Sequence, residues 1–138
     1  MPDMTTCLWF DGQAEEAAEH YVSIFPNSRI TEVIRHGPDE PGPEGSVLTV
    51  AFSLDGKQFV GLNGGPQFTF SEAVSVQVHV DTQEELDHYW YALLDGGTES
   101  ECGWLKDRYG FSWQIVPNVL LDTLSGDDRA AASRDLQA

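Results

Sequence analysis

VSVQVHVDTQEELDHYWYALLDGG, residues 74–97, reads as a strand that runs directly into a helix. Val74, Val76, Val78 and Val80 alternate with Ser75, Gln77 and His79, the period of a strand with one apolar face. Thr82 followed by Glu85 is a capping box, two groups that satisfy each other's orphan N–H at a helix start. Leu86, Tyr89, Trp90, Leu93 and Leu94 recur at helical spacing, and Gly96-Gly97 supplies the stop.

Towards the C-terminus, Thr98–Trp104 and Leu105–Tyr109 are weaker strand candidates. Gly110 marks a turn, and Trp113–Val116 is a last strand closed by Pro117. In this closing hairpin Trp113 and Ile115 share a face, and Lys106, Asp107 and Arg108 are expected to face solvent or pair locally. Residues 118–138 read as a short helical tail with Val119, Leu120 and Leu124 on one side.

Towards the N-terminus the same order appears. Thr5–Phe10 is a short apolar strand, ended by Asp11-Gly12. Ala14, Ala17, Ala18, Tyr21, Val22 and Phe25 make one helical stripe, with Glu15 and Glu16 where the helix dipole favours acid. Ser28–His36, Val47–Leu54 and Gln58–Leu62 are strands, the last two joined by an Asp55-Gly56 hairpin turn. Between the first two lies GPDEPGPEG, residues 37–45, whose prolines and glycines exclude helix and inner strand and suit a loop or flap.

Strand, helix and three strands therefore occur twice, over residues 5–66 and 73–117, within one domain of 138 residues. Aligning Tyr21 with Trp90, an offset of 69, places Thr6 on Ser75, Leu8 on Gln77 and Phe10 on His79. Aligning the turn glycines Gly56 and Gly110 places Val60 on Gln114.

Bulk properties narrow the function. The chain carries 23 acidic and 7 basic residues, a formal charge of −16, which repels phosphate backbones and anionic lipid. Nucleic-acid and membrane partners are therefore not expected. No basic-then-apolar leader opens the chain, and no run reaches the roughly 20 apolar residues of a membrane span. Cys7 and Cys102 form no CxxC, so free thiols in a reducing cytoplasm are expected.

LWFDGQAEEAAEHYVSIFP, LNGGPQF and CGWLKDRYGFSWQIVP resemble the PhnB-like group, often labelled 3-demethylubiquinone 3-methyltransferase domains, within the vicinal oxygen chelate superfamily. That superfamily includes glyoxalase I, extradiol dioxygenases and bleomycin-resistance proteins. The resemblance spans about residues 5–125. It implies an α+β fold of two βαβββ modules forming a curved-sheet cup, and homodimers. The methyltransferase label finds no strand, glycine-rich turn and helix for a nucleotide: Gly61, Gly64 and Gly65 lead to Pro66 and Phe68. S-adenosylmethionine is not expected, and no other cofactor is.

The resemblance also implies where metal ligands would stand, at the start of each module's first strand and about four residues after each turn glycine. Those positions are Thr6, Val60, Ser75 and Gln114. A divalent ion wants several nitrogen or oxygen donors, and Val60 offers none. A register slip of one would substitute Cys7 and Val74, still not a ligand set. No metal is expected. The cup is expected to hold a small aromatic or hydrophobic molecule, with Gln114, Gln77, Ser75, Thr6, Phe10 and Trp104 as its contacts and His79 as the general acid or base. The rivals are a protein that sequesters a toxic compound without turnover and a metalloenzyme with atypical ligands.

Overall fold

The computed structural model describes residues 2–119. The chain divides into two compact units, Met1–Thr69 and a second beginning at Phe70. The part of the expected C-terminal helix beyond Val119 lies outside the described residues.

The first unit runs β1 (Thr6–Phe10), α1 (Ala14–Ile24), β2 (Arg29–Arg35), β3 (Val47–Leu54) and β4 (Lys57–Asn63). Its sheet has the order β1-β4-β3-β2, with β1 parallel to β4 and the other neighbours antiparallel. The β3–β4 hairpin turns at Asp55 and Gly56, both with positive φ, as a two-residue turn with the twist of its strands requires. Ala14, Ala17, Ala18, Tyr21 and Ile24 are buried on α1. The small alanines let the helix approach the sheet closely. A Cβ on Gly61 of β4 would already touch the Ala14 methyl at 3.1 Å and the Phe10 ring at 3.3 Å. Leu8, Phe10, Val50, Phe52 and Phe59 complete this core, and the Phe52 and Phe59 rings stack with centroids 5.4 Å apart.

The second unit repeats the order: β5 (Ser75–Val80), α2 (Gln83–Leu94), β6 (Thr98–Glu99), β7 (Trp104–Lys106) and β8 (Ser112–Pro117). Its sheet order, β5-β8-β7-β6, is that of the first unit, again with the first strand parallel to the last. The duplication expected from the sequence is thus present in both connectivity and topology. The weaker strands are shorter than expected, two and three residues in β6 and β7. Leu93, Leu105, Trp113 and Ile115 are buried.

The two helices start differently. Thr82 accepts from the Glu85 N–H at 3.1 Å and Glu85 Oε1 accepts from the Thr82 N–H at 3.2 Å, the capping box the sequence predicts. Gln13 gives α1 no side-chain cap. Instead Asn63 at the end of β4 accepts from the Ala14 N–H at 2.9 Å and donates to the Val47 carbonyl at 3.0 Å.

The 37–45 loop folds back on its own strands. The His36 N–H donates to the Ser46 carbonyl and the Gly45 N–H to the His36 carbonyl, each at 2.9 Å. Arg35 donates to the Gly45 carbonyl at 3.1 Å, and His36 Nδ1 lies 3.5 Å from Glu40.

Candidate functional site

Each sheet has one face turned to the buried core of its unit and one turned away. Register decides which side chains occupy the second face, because neighbouring strand residues point to opposite sides. In the second unit Gln77 pairs with Gln114, and Gln114 with Trp104. Val76 and Leu105 pair with the buried Trp113, so these belong to the core face. Ser75, Gln77, His79, Gln114 and Trp104, all expected from the sequence, therefore share the face away from the core.

Three of them are joined. Gln114 Nε2 donates to Ser75 Oγ at 2.7 Å, and Gln77 Nε2 donates to Gln114 Oε1 at 3.3 Å. This orientation of the amides leaves the Gln77 carbonyl oxygen and the Ser75 hydroxyl proton free to meet a further polar group. His79 lies one step along the same edge strand and is exposed.

The first unit departs from expectation. Thr6 pairs with Phe59 and Leu8 with Gly61, so Thr6, Leu8 and Phe10 point to the α1 side. Phe10 is 3% exposed and packs beside Gly61 under the helix. It fills the core of its own unit, and Thr6 shares its side of the strand. The face away from α1 instead takes Cys7, paired with Val60, and Trp9, paired with Leu62. The correct equivalence of the first strands is thus one residue on from the helix alignment, with Cys7 on Gln77 and Trp9 on His79. The five residues TCLWF are nearly all apolar, so alternation could not choose between the two registers. The signal that could have chosen was Gly61, whose missing side chain admits the helix and marks its own face and that of Leu8.

Trp9 is held in place from several sides. Its indole N–H donates to the Gly65 carbonyl at 2.9 Å, and a Cβ on Gly64 would overlap its ring. Phe68 meets it edge-on with centroids 4.9 Å apart and is itself exposed. Trp9 and Phe68 are therefore a fixed aromatic step. Cys7 lies two residues earlier, with its thiol pKa pushed up by partial burial, which leaves it less thiolate than a free cysteine.

The closing hairpin carries its chemistry inward. Asp107, expected to face solvent or pair locally, is 3% exposed. Its Oδ1 accepts from the Tyr109 and Phe111 N–H groups at 2.8 and 3.1 Å, and its Oδ2 from the Trp113 indole at 2.8 Å. It shapes the turn at Gly110 and is committed to structure. Arg108 donates to the Asp95 carbonyl and carboxylate at 3.2 and 3.0 Å, placing a cation at the C-terminus of α2. Lys106 contacts Glu72, whose carboxyl is held below its usual range first by that hydrogen bond.

The superfamily's metal positions do not fit an ion here. Cys7 and Val60 face one way in the first unit, and in the second the donors are the neutral Ser75, Gln77 and Gln114. Among the described residues no three His, Cys, Asp or Glu side chains converge. A shallow hollow along α2, bordered by Asp87, His88, Tyr91 and Asp95, is wide open to solvent and would enclose little of a ligand.

Two βαβββ units of identical strand order, with polar and aromatic side chains on the faces away from their helices, define a protein of the vicinal oxygen chelate class with the glyoxalase/bleomycin-resistance fold. Within that class the chain belongs to the family described as 3-demethylubiquinone-9 3-methyltransferase, whose model matches residues 2–116. The PhnB protein from Bacillus cereus is 35% identical, with 84% of this chain and 99% of that one covered and a TM-score of 0.77. The protein PA1353 from Pseudomonas aeruginosa is 18% identical over 85% and 98% of the two chains, with a TM-score of 0.69. The fosfomycin resistance protein FosX from Listeria monocytogenes is 15% identical over 91% and 98%, with a TM-score of 0.61. The last two are alike in fold alone. No curated protein sequence matches the chain. Among the described residues no helix is long and apolar enough to cross a membrane, which leaves β-barrels unaddressed.

Proposed function

We propose that this protein binds a small aromatic or hydrophobic molecule on the face of its second sheet turned away from α2, without a resident metal or cofactor. The observation that carries the reading is the linked row Ser75–Gln114–Gln77, a set of neutral donors and acceptors on a face that needs none of them for its strand pairing. Trp104 beside Gln114 supplies the flat apolar contact. His79 is the group that would move a proton if the bound molecule reacts. The protein works as a homodimer in the cytoplasm, as the family resemblance and the free cysteines suggest.

The test is a thermal-shift and calorimetric screen with planar aromatic compounds. Gln114→Ala is expected to weaken binding about tenfold, the cost of one hydrogen bond lost in a partly buried site. If Gln114→Ala and Ser75→Ala both bind like the parent, the placement of the site is wrong. Mass spectrometry of the bound compound then separates turnover from sequestration. Turnover is expected to disappear in His79→Ala while binding persists.

A further inference from the structure

The polar row on β5 and β8 continues onto β7. By register Ser112 lies between Ser75 on one side and Lys106 on the other, all on the face away from the core. Ser112 is 1% exposed, yet its hydroxyl has no hydrogen-bond partner. A buried hydroxyl without a partner is costly and uncommon. Next to it stands Lys106, which alone among the described strand residues on this face carries a formal charge. In a chain of net charge −16 an anion gains nothing from the overall field, so a cation retained on this face is the feature that would admit one.

The ammonium is not empty-handed. It holds the carboxylate of Glu72, a mostly exposed side chain in the segment before β5. An exposed ion pair of this kind contributes little to stability and exchanges readily. A carboxylate already sits where Lys106 directs it, and an exposed side chain is the sort of group a ligand can displace.

We infer that Lys106 and Ser112 form a subsite for the carboxylate of an aromatic acid, with the Glu72 carboxylate occupying that place in the free protein. The inference rests on the proposed function and specifies its ligand: an acid whose ring lies towards Gln114 and Trp104 and whose charged end lies towards Lys106. Binding exchanges one carboxylate for another at the ammonium, and the hydroxyl of Ser112, the register neighbour of Lys106, donates a second hydrogen bond. No covalent step is involved.

The experiment compares naphthalene-2-carboxylate with its neutral counterpart naphthalene-2-carboxamide by calorimetry on the full chain. The acid is expected to bind the parent protein more tightly than the amide. Glu72→Gln, which removes the internal competitor, is expected to raise acid affinity several-fold and leave the amide unchanged. Lys106→Met, which keeps the apolar stem, is expected to lower acid affinity about tenfold and abolish the preference. Ser112→Ala is expected to weaken the acid with no loss of melting temperature, because it removes a hydroxyl that has no partner in the free protein. An acid preference that survives Lys106→Met, or that Glu72→Gln does not raise, overturns the subsite. Equal binding of acid and amide overturns it while leaving the proposed function standing. Binding of neither compound to the parent or to Glu72→Gln removes both readings.

Discussion

Asp107 and Phe10 illustrate how much a single position depends on its surroundings. In sequence Asp107 is the middle of a charged triplet before a turn, a setting where carboxylates usually stay solvated. In the fold it is buried and accepts from two backbone N–H groups and the Trp113 indole. Asp107→Ala would strip these donors of their acceptor. It is expected to cost about 3 kcal/mol, the scale of lost hydrogen bonds to a charged group, read as a lower midpoint in urea unfolding. A midpoint within error of the parent would show that water replaces the carboxylate. Phe10 failed as a site residue for the opposite reason. It is large and apolar beside Trp9, and nothing in the pair indicates which of the two the helix covers.

Individual elements were legible to different degrees. α2 announces itself completely, because its cap lies within its own sequence: Thr82 and Glu85 are three residues apart and satisfy each other. α1 does not, because its first N–H is capped by Asn63, 49 residues away in β4. Thr82→Ala is therefore expected to cost about 1 kcal/mol. Asn63→Ala, which breaks bonds to both α1 and β3, is expected to cost about 2 kcal/mol. Thermal unfolding of the two variants checks the order, and an Asn63→Ala as mild as Thr82→Ala would mean the tertiary cap adds nothing. The weak strands β6 and β7 are shorter than expected because the chain turns after each: the Trp104 N–H donates to the Glu101 carbonyl and the Gly110 N–H to the Asp107 carbonyl. Cys102 and Gly103 both take a positive φ in the first of these turns, which no strand accommodates.

For the whole molecule, the duplication was readable because it repeats an order of elements, which survives divergence of individual residues. Each unit places its first strand parallel to its last, so a helix must cross between distant strands in each. The proposed homodimer belongs to this scale. A solution mass near twice the chain mass, by light scattering at micromolar concentration, is the expected result. A mass of one chain across that range would remove the dimer from the proposed function.

The sequence by itself determined the elements, their repetition, the family and the second unit's polar row, because alternating Val with Ser, Gln and His leaves only one choice of face. The tertiary structure alone decided the face of β1, the burial of Asp107, the distant cap of α1 and the meeting of Lys106 with Glu72. The burial of Asp107 comes from a turn that brings two backbone N–H groups and the Trp113 indole to one carboxylate, and the others depend on contacts between residues far apart in the chain or on a register that a mostly apolar strand leaves open. Local pattern carries information only where neighbouring residues differ in polarity, and TCLWF offers too little contrast to hold a phase until Gly61 and α1 close over one side of it.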